Sequence, residues 1–225
     1  IKTDSIKIAD ATPEIIKFVM DYGRLYGYTF EHEATYDRMC LVNNAVYIAK
    51  FATVEKCMAL YGYAPGENIE DGGEWTATGT QFQVPYVFKT LFSKKEITFD
   101  DMCETKTVTK GDICLDCNEG MGDNHNYVFV GRVGQFCPVI PGSGSGELIC
   151  HNGDKYSAVT GTKGYRWMES EVVRQLHLED TIDKSYYNKL VDDALAAINE
   201  YCDAEWFCSD AEYDHEFGIP GQVPF

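Results

Sequence analysis

The group best placed to do chemistry near the start of the chain is the Asp4 carboxylate. It lies in a short polar tip, Thr3-Asp4-Ser5, which is followed by Ile6 and Ile8 alternating with polar residues. That period of two is typical of a β-strand with one buried face, so we expect Asp4 at or next to the turn of a β-hairpin. A carboxylate held at a rigid turn and open to solvent suits a divalent metal ligand. An ordinary surface turn aspartate is the alternative interpretation.

A helix and a second hairpin are expected to support this tip. Thr12-Pro13 predicts a helix start, with Thr12 as the N-cap and Pro13 at the first helical position, and Gly27 is expected as the C-cap. The apolar residues between them recur at helical spacing, so we expect the helix to pack on one face of a sheet. Residues 28–41 and 45–51 then predict two strands that turn at Asn43-Asn44, a pair tolerant of left-handed backbone.

These stretches resemble a known family. Lys2-Thr3-Asp4-Ser5 is similar to motif C of the family B DNA polymerases, whose core is Asp-Thr-Asp-Ser in a hairpin of the palm domain. The helix follows, as in that family, and residues 39–50 then resemble its Lys-Lys-x-Tyr region, with Tyr47 in the Tyr position. The likeness is to polymerases of tailed bacteriophages, and its specific motifs lie in the first 50 or so residues.

The resemblance implies template-directed transfer of nucleotides from dNTPs to a primer 3′-hydroxyl, assisted by two Mg²⁺ ions. Asp4 matches the indispensable metal ligand of motif C, and Thr3 and Ser5 would lie beside the bound nucleotide. Lys2 stands where the family has its first acid, and a cation there opposes metal binding unless its side chain points away. Tyr47 would contact the primer strand, or would be an ordinary aromatic of the sheet.

Two places are expected to contact the backbone of primer–template DNA. The family has lysines where this chain has Asn44 and Ala45, and Lys50 or Lys56 could supply that phosphate contact. Residues 161–167 combine two glycines with Lys163, Arg166 and aromatic rings, which would suit a grip on duplex DNA. A tight turn with its tryptophan packed in the core is the alternative for this segment.

Composition limits these interpretations. The chain has 225 residues and a formal net charge of −17, which opposes DNA binding unless cations cluster locally. Residues 127–174 form the least acidic long stretch, so a DNA-binding face is expected there. Nine irregularly spaced cysteines indicate a reducing compartment. No apolar run approaches the ~18 residues of a membrane span and no signal-peptide pattern occurs, so with the resemblance we expect a phage protein in the cytoplasm of its bacterial host.

The expected fold class is α+β. Residues 1–64 would form an antiparallel palm sheet with a packed helix, residues 65–208 a mixed α/β thumb-like subdomain, and residues 209–225 an acidic disordered tail that could bind a sliding clamp. The boundary between the first two falls in residues 64–79, whose composition predicts a turn-rich acidic linker. Asp183 predicts the cap of a helix that runs to about Tyr201, and its apolar stripe is expected to be core. The family's partner aspartate and its nucleotide-holding fingers would lie in upstream sequence, so the 225-residue chain alone is not expected to polymerise. A non-catalytic DNA-binding or phage structural module is the competing hypothesis.

Overall fold

The computed structural model of the chain describes residues 5–118, 124–142 and 144–209. Helices and sheets both occur, and every strand pairing within the sheets is antiparallel. The predicted α+β class with antiparallel sheets is therefore confirmed.

The helices are named in chain order. They are α1 Pro13–Leu25, α2 Val54–Tyr61, α3 Gly66–Asp71, α4 Thr80–Gln83, α5 Pro85–Phe88, α6 Ser170–Gln175, α7 Lys184–Asn199 and α8 Ala204–Phe207. A π-helical turn covers Lys89–Ser93, and 3₁₀ turns cover Asp100–Met102 and Glu179–Thr181.

The strands form three sheets. They are β1 Tyr36–Leu41, β2 Tyr47–Phe51, β3 Trp75–Ala77, β4 Glu104–Thr107, β5 Asp112–Asp116, β6 Tyr127–Gly131, β7 Val133–Val139, β8 Glu147–Asn152, β9 Lys155–Ala158 and β10 Arg166–Glu169. The strand orders are β1-β2-β3, β10-β7-β4 and β6-β5-β8-β9.

The described residues fall into two compact units. The first contains those up to Val84, Thr90–Lys94 and those from Asp193 onward, and the second contains Pro85–Lys89 and Lys95–Asp192. The boundary predicted between residues 64 and 65 thus falls inside the first unit, and the end of the described chain belongs to the first unit as well.

Asn68 explains why the predicted linker belongs to the first unit. The buried Asn68 side chain accepts a 2.8 Å hydrogen bond from the Thr35 N–H and donates 2.8 Å bonds to the Thr35 and Ala52 carbonyls. The residues that follow form β3, which pairs with β2. These long-range hydrogen bonds hold the segment in the fold of the first unit.

The core of the first unit lies against the β1-β2-β3 sheet. Ile48 and Ala49 of β2 have no exposed surface, and Phe51 is also buried. The Trp75 ring packs against Phe92 at a centroid distance of 5.3 Å and against Phe207 at 5.4 Å. Phe207, close to the end of the described chain, therefore helps to cover this sheet.

Helix α1 begins as predicted but does not pack as predicted. The Thr12 hydroxyl accepts a hydrogen bond from the Ile15 N–H at 3.3 Å, which confirms the N-cap. However, Phe18 is 65% exposed and Leu25 is 79% exposed. Within the described residues, Gly23 is the buried residue of this helix. The expectation that the apolar stripe is covered by the sheet is wrong for this part of the chain, because helical spacing identifies a stripe but not its partner.

The second unit has a core between its two sheets and the first part of α7. Trp167 of β10, Phe136 of β7 and Ile113 of β5 have no exposed surface, and neither does Tyr187 of α7. The predicted cap of α7 is present, since the Ser185 N–H donates to the Asp183 carboxylate at 3.0 Å. The apolar stripe of this helix is therefore core, as its spacing predicted.

All nine cysteines lie in the described residues and are free thiols. Among the described helices, none combines the length and the apolar character that a membrane span requires. Residues 210–225, which include nearly all of the predicted disordered tail and its clamp-binding end, lie outside the described residues.

Candidate functional site

The turn between β1 and β2 is built by Asn43. Its side-chain oxygen accepts hydrogen bonds from the N–H groups of Ala45 at 2.9 Å and Val46 at 3.0 Å. The Val42 N–H closes the turn by donating to the Val46 carbonyl at 2.9 Å. Such a side-chain turn fixes the backbone locally, so it determines where β2 begins, at Tyr47.

Thr78 holds the backbone of Tyr47 from the opposite side. Its hydroxyl accepts from the Tyr47 N–H at 2.9 Å and donates to the Ala45 carbonyl at 3.0 Å, while its own N–H donates to the Tyr47 carbonyl at 2.9 Å. Three hydrogen bonds from one residue leave little freedom in the first residues of β2. The backbone that carries the Tyr47 side chain is therefore held in place.

Tyr36 on β1 is near enough to Tyr47 that the Tyr47 phenol contributes to the raised pKa of Tyr36. The Tyr36 ring packs on Phe51 with 5.1 Å between centroids, and the Lys7 ammonium lies 5.1 Å from the Tyr36 centroid. Burial is the main reason that the pKa of each phenol is raised. Both phenols are consequently protonated, and able to donate hydrogen bonds, at neutral pH.

Two carboxylates and one ammonium group surround the phenol pair. Burial raises the pKa of Glu67, the nearby Glu33 raises it further, and Lys7 opposes them. The same carboxylates contribute to the raised pKa of Tyr36. We define Tyr36, Tyr47, Glu33, Glu67 and Lys7 as the phenol site. It offers uncharged hydrogen-bond donors in an acidic surrounding.

The predicted catalytic Asp4 and the predicted nucleotide-binding Thr3 lie outside the described residues. Ser5, the other predicted nucleotide-binding residue, is described and half-buried. Two residues later, Lys7 already lies over the Tyr36 ring. The segment that follows Asp4 therefore reaches the phenol site within the first unit.

Tyr47 and Lys50, both predicted to contact DNA, lie on opposite faces of the sheet. Successive residues of a strand alternate between faces, so positions three apart point in opposite directions. Tyr47 lies on the same face as Phe51, whereas the Lys50 ammonium lies 5.8 Å from the Trp75 ring centroid. The structure brings Tyr47 to the phenol site and places Lys50 elsewhere.

Lys163 and Arg166, the other two predicted DNA contacts, belong to the second unit. Lys163 is exposed. The Arg166 guanidinium donates to the Asn118 carbonyl at 3.0 Å, to the Ser145 carbonyl at 2.5 Å and to the Ser145 hydroxyl at 3.3 Å. Trp167 is fully buried and donates from its indole N–H to the Thr162 carbonyl at 3.1 Å, so its ring belongs to the core.

The described residues do not by themselves fit a magnesium site. Nowhere in the described part of the chain do three or more His, Cys, Asp or Glu side chains group as metal ligands. Glu33 raises the pKa of the nearby Glu67, but two carboxylates fall short of such a group. The predicted metal ligand, Asp4, lies outside the described residues.

Sequence reasoning did not identify Tyr36, Glu33 or Glu67 as site residues. Tyr36 lies in a segment predicted only as a strand, and Glu67 lies in a segment predicted as an acidic linker. The signal for Tyr36 is a break in the strand register, which depends on the pairing with β2. No local pattern of residues reports that pairing.

No family model, no curated protein and no solved structure matches the chain.

Proposed function

We propose that this chain is part of a DNA-directed DNA polymerase of the family B type, acting in the cytoplasm of a phage-infected bacterium. The observation that supports the proposal best is the placement of Tyr47. Its backbone is held by Thr78, and the segment that follows Asp4 reaches the neighbouring Tyr36 ring through Lys7. Ser5 and Lys7, which directly follow Asp4, thus lie in the same compact unit as Tyr47.

In this proposal Tyr47 donates a hydrogen bond to the primer strand near its 3′ end. Asp4 is a ligand of the catalytic Mg²⁺, and Thr3 and Ser5 lie beside the incoming dNTP. When bound, the metal pair would activate the primer hydroxyl and stabilise the triphosphate leaving group. The part played by the described residues is to orient the primer strand.

The excess of acid in the chain requires the duplex to be held by local cations. Lys163 is exposed and fits that role, and Lys50 and Arg166 are the other candidates. Arg166 already donates three hydrogen bonds within its own unit, so its contribution to DNA binding would be smaller than that of Lys163.

The proposal is tested by Asp4→Asn in the natural polypeptide that carries this sequence. Removing one metal-binding carboxylate should lower the rate of primer extension roughly 100-fold or more, because a bound metal stabilises the transition state by several kcal/mol. The affinity for primer–template DNA should stay within about twofold, since Asp4 is not proposed to bind phosphate. Rapid-quench extension and fluorescence anisotropy measure the two quantities.

Asp10→Asn is the matched control, because Asp10 is an exposed aspartate six positions along the same segment. It should leave both the rate and the affinity unchanged. Equal extension rates for the Asp4→Asn variant and the parent would overturn the proposal. DNA binding without any template-directed incorporation by the parent would favour a non-catalytic DNA-binding or phage structural module instead.

A further inference from the structure

Two cysteines of the second unit, Cys103 and Cys137, are in contact through their side chains. Their sulfur atoms lie 3.4 Å apart, which is hydrogen-bonding distance for sulfur. Cys137 has no exposed surface, Cys103 is 9% exposed, and both belong to the core of this unit. Both are free thiols, so the structure holds a pair of reduced sulfur atoms next to each other.

The pairing of β4 with β7 explains why the two sulfur atoms meet. The strands are antiparallel, and Glu104 of β4 lies opposite Phe136 of β7. Cys103 is the residue before Glu104. Cys137 is the residue after Phe136, so one further step of the same register sets it opposite Cys103. Opposed residues in such a pair have Cα atoms about 4.5–5.5 Å apart, and a disulfide spans about 4.4–6.8 Å, so a bond needs little movement of the backbone.

The hydrogen bonds show which of the two thiols donates. The Cys103 thiol donates to the Phe99 carbonyl at 3.3 Å. A thiol carries one proton, so Cys103 accepts in its contact with Cys137, and Cys137 donates. The Cys137 thiol is thus directed at the Cys103 sulfur, which is the approach that a bond between the two sulfur atoms requires.

The two thiols differ in their access to solvent. Cys103 retains some exposed surface whereas Cys137 is fully covered, so a small dissolved oxidant reaches Cys103 first. Burial is the main reason that the pKa of each thiol is raised, and the nearby Arg174 guanidinium acts in the opposite direction on both. The thiolate is the reactive form of cysteine, so the pair reacts slowly and stays reduced unless an oxidant persists.

We propose that Cys103 and Cys137 form a redox modification site, at which hydrogen peroxide converts the two thiols into a reversible disulfide. The Cys103 thiolate attacks one peroxide oxygen and becomes a sulfenic acid, and the hydroxide that leaves takes up the thiol proton to form water. The Cys137 thiolate then attacks the Cys103 sulfur and displaces a second hydroxide, which forms water with the proton of Cys137. One peroxide is reduced by two electrons, which the two sulfur atoms supply. This site is independent of the proposed polymerase function.

The disulfide would fasten the end strand of a sheet. In the strand order β10-β7-β4, β4 is an end strand and β7 is its neighbour. The short strand Glu104–Thr107 is therefore among the elements expected to open locally. A covalent bond at the residue before β4 would oppose this opening, because it keeps the strand beside β7. Oxidation would thus slow the opening of β4 without changing how the strands pair.

The proposal is tested by treating the natural polypeptide with hydrogen peroxide and mapping its peptides by mass spectrometry. A peptide pair joined through Cys103 and Cys137 should appear, lighter than the two free peptides by two hydrogen atoms, and dithiothreitol should separate it. Amide hydrogen exchange of β4 should become several-fold slower after oxidation and should recover after reduction. Absence of this link, or a link from either residue to another cysteine in its place, would overturn the proposal.

Variants that lack one of the two sulfur atoms test the order of the steps. Cys137→Ala should accumulate sulfenic acid at Cys103, which dimedone labels, because the second thiol is missing. Cys103→Ala should leave Cys137 unlabelled, and labelling of Cys137 there as fast as that of Cys103 would overturn the assigned order. Cys114→Ala is the matched control, since Cys114 is a buried cysteine of β5 in the same unit, and it should form the link as the parent does. The peptide map of the parent decides the proposal even where a variant does not fold.

Discussion

At the scale of single residues, two side chains of the same charge can have different roles because their contacts differ. Lys163 and Arg166 are both cations of one glycine-containing segment, but Lys163 is exposed whereas Arg166 donates to the backbone of Asn118 and Ser145. Arginine suits the second role because its planar guanidinium donates in several fixed directions. The charge of Arg166 therefore contributes to the fold, and that of Lys163 is presented to solvent.

Asp116 supplies the clearest pH dependence in the second unit. Burial acts to raise its pKa, but hydrogen bonds from His125 at 2.7 Å, the Asn126 N–H at 3.0 Å and the Asn118 N–H at 3.3 Å outweigh it and hold the pKa of this carboxyl below the ordinary value of 3.8. The folded state then binds fewer protons than the unfolded state at acid pH. Its stabilising contribution is present above the ordinary value and is lost as the pH falls through the folded pKa.

We predict that Asp116→Asn lowers the unfolding free energy near neutral pH, and that this loss becomes smaller as the pH is lowered. The parent should be the more stable protein at about pH 6, and the difference should shrink below about pH 4. Urea unfolding followed by tryptophan fluorescence across this range measures it. Asp154→Asn, in the exposed turn between β8 and β9, controls for the loss of one carboxylate. A difference that is constant with pH would contradict the role given to Asp116.

At the scale of elements, helix α1 and the β1–β2 hairpin show what a local sequence pattern predicts and what it does not. The cap at Thr12 and the turn at Asn43 are made by residues within four positions of each other, and both form as their residue types predict. The apolar stripe of α1 has the right spacing for burial, yet the described residues leave Phe18 exposed. An amphipathic period requires a partner surface, which the helix itself does not specify.

We predict that Phe18→Ala changes the unfolding free energy by no more than about 0.5 kcal/mol, as is usual for surface substitutions. Phe82→Ala is the matched core variant, because Phe82 is also a helical phenylalanine of the first unit but has no exposed surface and lies 6.5 Å from the Phe92 ring. It should cost about 3–5 kcal/mol. Urea unfolding of the 225-residue chain compares them. A large cost at Phe18 would show that its face is covered in solution.

At the scale of the whole molecule, the net charge of −17 opposes binding to DNA. Most of the excess acid belongs to the first unit, and the second unit is closer to balance. A chain with this charge is repelled by phosphate at long range, so attraction has to come from cations at short range. The dependence of DNA affinity on salt is therefore the informative measurement.

We predict that Lys163→Ala weakens binding of the natural polypeptide to duplexes of any sequence. It should lower the slope of log affinity against log salt by about 1, as expected when one phosphate contact is removed. Lys155→Ala, an exposed lysine of β9 in the same unit, should leave the slope unchanged. Anisotropy titrations at four salt concentrations suffice. An unchanged slope for the Lys163 variant would remove Lys163 from the DNA-binding face.

The sequence by itself determined the features that depend on near neighbours. The α+β class, the N-cap of α1, the Asn43 turn and the buried stripe of α7 all follow from residue types within a few positions of one another. Caps, turns and periodicity are local, so their signals are present in any short window of the chain.

Only the tertiary structure decided the features that join distant parts of the chain. The register shift between Tyr36 and Arg38 sets Tyr36 opposite Phe51, and the three hydrogen bonds of Asn68 hold a predicted linker in the first unit. Strand register and long-range hydrogen bonds depend on which segments meet. A local pattern of residues cannot report which segments meet, so the partners of Tyr47 were found in the fold.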